Sequence, residues 1–261
     1  MTPRPLTVAF DGPVTAARHA PVLAGLPGHF RTAESGAPAD ILVVDGTTTV
    51  RPAAAPSTGA ILVDRPRAGL GQLPDTAMVF ADTGYAADPA WATELPRIRD
   101  SLTQHSAGVV ESTVAVTDAG ELADALFWQL TLVRALLGTV DFAPSAVAPG
   151  RGHVLTGAAG SAVVSLSGTV GSPGLTLDTI GPSERWHVAM HPPGTARPAV
   201  ISRFDGEGRH TTRPRFESPR RALWRSVHAT LNGTAAPRHL YADVLADLAT
   251  SESLLAAPAA P

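Results

Sequence analysis

Four short apolar runs in the first third of the chain constrain the fold more than any other feature. They are continuous and rich in β-branched residues rather than alternating, and they cover Leu6–Asp11, Ile41–Asp45, Ala60–Asp64 and Thr76–Ala81. Continuous runs of this length are typical of strands buried on both faces, as in a parallel sheet between helices. With a helix expected over Val14–Leu26, the pattern predicts a small α/β domain.

The connections between these strands predict an incomplete version of such a domain. The segment TTTVRPAAAPSTG, between the second and third strands, holds too much proline and glycine for a full crossover helix. We therefore expect a sheet that is covered less completely than is usual for a doubly wound domain.

A different pattern begins near Gly108. GVVESTVAV alternates between apolar and polar residues as a half-buried strand does, and Glu121–Leu137 has apolar residues at helical spacing, with Gly138 at the place of a cap. Residues 153–212 read as strands and turns, and two helices close the chain. This part of the sequence predicts an α+β domain with an open, mostly antiparallel sheet and flanking helices.

The two patterns predict the domain organisation. Residues 1–107 are expected to form the α/β domain, and residues 108–255 the α+β domain, whose open sheet face is a candidate oligomer interface. The alanine- and proline-rich residues 256–261 are expected to form a flexible tail.

The residue composition removes several kinds of chemistry. The chain contains no cysteine, which excludes disulfides, thiol nucleophiles and thiolate metal sites. It also contains no lysine, since all 20 basic residues are arginine, so a Schiff base, a phosphate-loop lysine and a lysine general acid are excluded. The net charge of −3 argues against a nucleic-acid partner. With no apolar signal core and no run of membrane-spanning length, we expect a cytoplasmic protein with no membrane partner.

Several segments form a series along the chain. FDGPVTAARHAPVL follows the first strand and carries Gly12 and His19, ILVDRP ends the third strand, and MVFADTGYAADPAW, LFWQLTLVRALLG, WRSVHATLNG and LYADVLADLATSESLL come next. In this order they resemble the Gfo/Idh/MocA family of sugar and inositol dehydrogenases, whose first turn runs G-x-G-x-x-[AG]-x-x-H. The resemblance spans most of the chain, which is short for the family. It implies a shortened Rossmann-like domain followed by the open-sheet domain.

The resemblance implies NAD or NADP as the cofactor, bound at the turn after the first strand. Gly12 would make the tight turn, while Val14 stands where the family's second glycine lets the backbone approach the pyrophosphate. Pro13 removes one amide donor, and Glu34 is the candidate acceptor for a ribose hydroxyl. The alternative is a strand, a turn and a helix that bind no nucleotide.

The family uses a lysine and a His-x-x-Asp pair at its catalytic positions, and other residues stand in those places here. Arg65 replaces the lysine and can orient a carboxylate, phosphate or ribose, but it cannot shuttle a proton. Trp128 and Thr131 occupy the places of the pair, and together with Phe127 they can line a substrate pocket. Tyr85 is our candidate for a replacement catalytic acid. The alternative is that Arg65 merely ends a strand and that the helix residues belong to the core.

Two other groups of residues were considered as binding sites, one for an anion and one for a metal ion. Five arginines cluster in one segment: Arg213, Arg215, Arg220, Arg221 and Arg225. They can hold an anionic substrate or partner, or they can form a solvated surface. His187 and His191 lie too far apart on an extended strand to share a metal ion, so no metal site is predicted.

Three hypotheses for the function remain open. The chain is a divergent oxidoreductase acting on a small molecule, a catalytically inactive homologue that serves as the structural or regulatory partner of an active enzyme, or a repurposed fold with non-redox chemistry in specialised biosynthesis. The resemblance favours the first, whereas the missing glycine, lysine and histidine favour the other two. Since the family's open sheet commonly forms an interface, the resemblance also implies a homo-oligomer, or a hetero-oligomer with a related subunit.

Overall fold

In the computed structural model, the described residues are 4–34, 36–47, 59–67, 73, 78–104, 108–143, 146–148, 150–237 and 241–256. The chain divides into two compact units. The first comprises residues 1–83 and 220–248, and the second comprises residues 84–219 and 249–261. Each unit contains one β-sheet.

The first unit is built on a five-stranded sheet whose paired strands are all parallel, in the order β2-β1-β3-β4-β5. Its strands are β1 (Leu6–Phe10), β2 (Phe30–Thr32), β3 (Ile41–Asp45), β4 (Ala60–Asp64) and β5 (Met78–Ala81). The continuous apolar runs form the central strands, since every residue of β4 and the first four of β3 are buried. The α/β expectation is therefore confirmed. The expected lack of a crossover helix concerns a segment whose residues 48–58 lie outside the described part of the chain.

Helices α1 (Pro13–Ala24) and α4 (Pro219–Leu231) belong mainly to the first unit. Helix α1 starts at a proline, whose missing N–H is not needed at the first helical position. It buries Thr15, His19 and Leu23, which recur every fourth residue and therefore lie on one face. Helix α4 packs the ring of Trp224 edge-on against Phe30, with the ring centres 5.0 Å apart.

The second unit contains a nine-stranded sheet in the order β14-β13-β12-β11-β6-β10-β9-β7, with β8 also paired to β9. Its strands are β6 (Gly108–Val116), β7 (Asp141–Phe142), β8 (Ala146–Ala148), β9 (Gly152–Ala159), β10 (Ala162–Val170), β11 (Gly174–Ile180), β12 (Arg185–Met190), β13 (Val200–Asp205) and β14 (Gly208–Thr211). Strands β6 and β10 pair in parallel, and the other described pairs are antiparallel. This confirms the expected mostly antiparallel sheet.

Two helices, α2 (Pro89–Gln104) and α3 (Leu122–Leu137), contribute to the core of this unit. Along β6, β10 and β12 the buried residues alternate with more exposed ones, because successive side chains point to opposite faces. On the face of the sheet opposite the core, some apolar side chains are exposed, among them Val154, Val163 and Val200. The sheet therefore keeps an open face with apolar character.

Helix α2 differs from the expected organisation. The sequence predicted a boundary at residue 107, but Trp91 and Ile98 of α2 lie in the core of the second unit, which begins at residue 84. Residues 220–248, expected in the second domain, belong to the first unit. The sequence of α2 has a proline at position 96 and many polar residues, so its apolar residues do not form a clear helical pattern. The last helix, α5 (Tyr241–Ala256), packs Leu254 and Leu255 on the same core.

A buried polar network joins α3 to the sheet. The side-chain amide of Gln129 donates to the backbone oxygens of Ser112 and Ser167, each at 3.0 Å. Its oxygen faces Nε2 of His153, at 2.8 Å. Since the amide nitrogen is committed to those oxygens, the amide oxygen must accept, and the proton of His153 lies on Nε2.

Burial controls the ionisation of this histidine. His153 is 3% exposed, and burial lowers the pKa of its imidazole from 6.5 to about 4. The ring is therefore neutral at neutral pH, which agrees with a single proton held on Nε2. The network helps to hold the neutral form.

Replacing Gly168 by alanine should destabilise the protein, because Gly168 lies directly opposite His153. A Cβ at this glycine would overlap the imidazole, within 2.7 Å of both ring nitrogens. We expect a loss of about 1–3 kcal/mol, measured by chemical denaturation. Gly171→Ala is the matched control, since its Cβ would meet only Ala115, at 3.9 Å. Equal losses in the two variants would contradict this assignment.

The stability of the protein should fall as the pH drops from about 6.5 to about 4, in part because of His153. The unfolded histidine takes up a proton in this window while the folded one does not, so protonation favours unfolding. The difference in pKa corresponds to roughly 3 kcal/mol at most. Denaturation midpoints across this window should fall less steeply in His153→Gln, which keeps a donor for Gln129 but does not titrate. An unchanged slope would contradict the prediction.

Candidate functional site

The turn after β1 was the first predicted site, and its backbone does not require a glycine. Gly12 has φ −171° and ψ 174°, an extended conformation open to any residue. A Cβ at Gly12 would meet no atom within 4 Å. Val14 projects outward with 52% of its surface exposed. The proposed roles of Gly12 in the turn and of Gly12 and Val14 in cofactor binding stay predictions.

A carboxylate that the sequence reading did not single out occupies the N-terminal end of α1. Asp11 accepts a hydrogen bond from the Thr15 hydroxyl at 2.9 Å through Oδ1, and one from the backbone N–H of Asp45 at 2.7 Å through Oδ2. Asp11 and Asp45 follow or end two neighbouring parallel strands, β1 and β3. The carboxyl ends of such strands meet at one edge, which is where open α/β sheets bind ligands. That placement was the signal available in the sequence.

Arg65 lies at the same edge, in a strained conformation. Its φ of +47° is the only positive value for a non-glycine residue among those described, and it precedes Pro66, which normally favours an extended residue before it. A Cβ at Gly46 would come within 2.8 Å of the Cα of Pro66, so the glycine permits this close approach. Strain of this kind is often retained at functional sites.

The guanidinium of Arg65 is paired within the first unit. Its Nη2 donates to Asp45 at 3.0 Å. Burial opposes ionisation of Asp45, but hydrogen bonds from Thr47 and the charge of Arg65 outweigh it and lower the pKa of the carboxyl. Glu34, the candidate ribose ligand, is exposed two residues beyond β2. Its proposed role stays a prediction.

A buried polar cluster lies beneath this edge. Asp64, fully buried at the end of β4, has Arg18 Nε and His19 Nε2 each 3.4 Å from one of its oxygens. His19 is also fully buried, and its Nδ1 accepts a hydrogen bond of 3.1 Å from the indole N–H of Trp224. Asp82 is paired with Arg220 at 3.4 Å.

His19, Asp64 and Asp82 bring three possible metal-ligand atoms within 4.8 Å of one another, but their contacts do not suit a metal ion. A histidine bound to metal through Nε2 carries its proton on Nδ1. Here Nδ1 accepts from Trp224, so it holds no proton. Both carboxylates also face arginines. The cluster is better described as a structural ion-paired group.

The remaining predicted residues lie in the second unit. Gly84 has φ +58°, and a Cβ there would come within 2.6 Å of the indole of Trp128. The ring of Tyr85 meets the same indole edge-on, with centres 5.5 Å apart. Phe127 is 2% exposed, and Thr131 donates its hydroxyl to the backbone oxygen of Phe127 at 3.0 Å. The structure thus joins Tyr85 to Trp128, and Phe127 to Thr131.

The surroundings of Tyr85 differ from those that activate a phenol. Tyr85 is 2% exposed, and burial followed by the nearby charge of Glu121 raises the pKa of its hydroxyl. The proposal of an acid rested on a neighbouring cation, whereas the charge acting on Tyr85 is negative. The phenol therefore stays protonated, and its catalytic role stays a prediction.

Replacing Trp224 by phenylalanine should cost about 1–3 kcal/mol of folding free energy beyond the loss of ring size, because His19 Nδ1 would be left buried without a partner. Trp186→Phe is the matched control. That tryptophan is also buried, and its indole N–H has no hydrogen-bond partner among the described residues. Chemical denaturation of both variants measures the difference. A cost for Trp224→Phe no larger than that for Trp186→Phe would argue against the bond.

No protein-family model matches the sequence, and no curated protein matches it. Solved structures do. KijD10 from Actinomadura kijaniata, a 3-ketoreductase in complex with NADP, superposes with a TM-score of 0.69 at 9% identity, over 97% of each chain. The dehydrogenase MviM from Clostridium difficile superposes with a TM-score of 0.66 at 7% identity, over 96% of this chain and 98% of its own.

Identities this low establish the fold and not the activity. The match extends over nearly the whole length of both chains, so it includes the parallel sheet and the open sheet alike. None of the described helices combines the length and the apolar character that a membrane span requires. The chain has the fold of the Gfo/Idh/MocA oxidoreductases, and the resemblance seen in its sequence is thereby confirmed at the level of the fold.

Proposed function

We propose that this chain is a divergent, oxidoreductase-like protein that has kept the Gfo/Idh/MocA fold without the standard hydride-transfer site. In this proposal it binds a small molecule as a catalytically silent or non-redox homologue. The observation that carries the proposal is the carboxylate of Asp11, held at the N-terminal end of α1 by Thr15 and by the backbone of Asp45.

The residues of this turn do not fit the pyrophosphate of NAD or NADP. A helix N-terminus binds an anion through free amides and the positive end of its dipole. Here Pro13 supplies no amide, and Asp11 already places a negative charge at the helix end. A second anion beside it would be repelled. No hydride-transfer step is therefore derived for this chain.

Arg65, Thr131 and the candidate acid Tyr85 are also unsuited to proton transfer. Arg65 is paired with Asp45 and cannot release its proton near neutral pH. The Thr131 hydroxyl is bonded to the helix backbone, and burial with a neighbouring acid raises the pKa of Tyr85. The edge offers instead a guanidinium held by Asp45, which can orient a polar group.

A second candidate function is an active NAD(P)-dependent oxidoreductase with Tyr85 as the acid. It is favoured by the similarity over the whole chain to a 3-ketoreductase that binds NADP. The strained Arg65, at the edge where such folds bind ligands, also favours a retained site. This candidate requires the dinucleotide to bind without the usual amide contacts.

We also propose that the protein works in the cytoplasm, in specialised biosynthesis, as a homo-oligomer or together with a related subunit. The support for assembly is the open face of the second sheet, with Val154, Val163 and Val200 exposed. Apolar side chains grouped on one face are unfavourable in water and are typical of interaction surfaces. A related active subunit would provide the redox chemistry that this chain lacks.

Titration of the purified protein with NADH and NADPH separates the two candidates. We expect no binding up to millimolar cofactor by calorimetry or nicotinamide fluorescence, because Asp11 and Pro13 oppose the pyrophosphate. Micromolar binding of either cofactor would overturn the first proposal and support the second. In that case, full turnover by Tyr85→Phe would remove Tyr85 as the acid.

The Asp11→Asn variant sharpens this test, since it removes the charge, keeps an acceptor for the N–H of Asp45, and turns its amide nitrogen towards the Thr15 hydroxyl, which can accept. We expect its affinity for NADPH to be stronger by roughly tenfold, for the loss of about 1.4 kcal/mol of repulsion, so that binding becomes detectable at millimolar cofactor where the wild type shows none. Asp141→Asn, at an exposed strand residue of the second unit, is the control of equal charge. An equal rise in both variants would show that the position of Asp11 is not responsible.

A further inference from the structure

A groove of about 920 Å³ lies within the second unit, apart from the turn and the sheet edge described above. It is lined by residues of α2, β12, β13 and β14 and of the segment that follows β14. This volume lies within the range of sites that hold cofactors and drug-sized ligands. The groove is large enough for a whole small molecule.

Most of the charged residues that line the groove are positive. Four arginines line it, namely Arg97, Arg203, Arg213 and Arg215, and Glu94 is the only acidic residue among its lining residues. Glu94 is paired with Arg97 at 3.3 Å. Arg203 is paired with Glu184 at 3.7 Å and with Asp205. Two of the four positive charges thus have acidic neighbours within the protein.

The other two charges, on Arg213 and Arg215, have no ion-pair partner within the described part of the chain. They are separated by Pro214, which has a fixed φ and favours an extended residue before it. Both side chains contribute to the same concave surface. Positive charges gathered in a cleft without counter-charges raise the local potential and attract anions.

The rest of the wall suits an organic ligand. Trp186 lines the groove and is 5% exposed, so the core holds its ring in place and only a small part of the ring faces the groove. Guanidinium groups match carboxylate and phosphate oxygens with paired hydrogen bonds. The combination is typical of a site that holds the anionic end of a small molecule.

We propose that this groove binds a small molecule carrying a multiply charged oxyanion, either a phosphate ester or a polycarboxylate, through Arg213 and Arg215. Arg97 and Arg203 add to the positive potential. The site lies outside the first unit and uses none of the residues predicted for cofactor or proton transfer. It therefore stands whether or not the proposed function holds.

The test is calorimetric titration of the full chain at low salt with two probes, pyrophosphate and citrate. We expect at least one to bind. Preference for pyrophosphate would identify a phosphate ester, and preference for citrate a polycarboxylate. Binding should weaken as salt is added, because the charges are exposed. Failure of both probes to bind would overturn the proposal.

Two variants locate the site. Arg213→Gln and Arg215→Gln should each weaken binding of the preferred probe by roughly tenfold or more, as expected for the loss of a charged hydrogen bond. Arg151→Gln is the matched control, an exposed arginine next to β9, towards the opposite edge of the sheet from β14. Equal weakening in all three variants would indicate general charge attraction and overturn the proposal. Unchanged thermal midpoints would exclude unfolding as the cause.

Discussion

The fully buried carboxylate of Asp64 is the constraint around which the first unit is assembled. A buried acid is costly unless polar or positive groups accompany it. Helix α1 therefore directs Arg18 and His19 towards the end of β4, where an ordinary amphipathic helix would place apolar residues. The Nδ1 atom of His19 accepts a hydrogen bond from Trp224, so the same cluster connects α1 to α4.

The arginines near the polar edge of the first unit and those of the groove differ in their partners, and the proposals rest on this difference. In the first unit Arg18, Arg65 and Arg220 each face a carboxylate, and Asp11 occupies the helix end where an anionic cofactor would otherwise bind. In the second unit, Arg213 and Arg215 line the groove and have no acidic partner among the described residues. The fold supports many chemistries, so the distribution of unpaired charge is a better guide to ligands than the fold itself.

Much of the architecture could be predicted because its signals are local. The runs that form β3 and β4 are apolar throughout, and α3 repeats apolar residues at helical spacing and ends at Gly138, which has φ +76°. Strand β2 has only three residues, which are too few for a periodic pattern. Helix α2 was not predicted because Pro96 lies inside it. The candidate site was harder to predict, because the glycine pattern of the turn involves Gly12 and Val14 and gives no role to Asp11. Gln129 and His153 are far apart in sequence, so their contact has no local signal.

The sequence by itself determined the types of secondary structure, the parallel and open-sheet halves, and the chemistry that is absent, since periodicity and the lack of lysine and cysteine can be read residue by residue. Only the tertiary structure decided which polar groups meet. It paired Asp11 with the backbone of Asp45, turned Nδ1 of His19 towards Trp224, and placed Arg213 and Arg215 in one groove with no acidic partner in the described part of the chain. The physical reason is that hydrogen bonds and ion pairs act over a few ångströms, between residues that the chain brings together only when it folds.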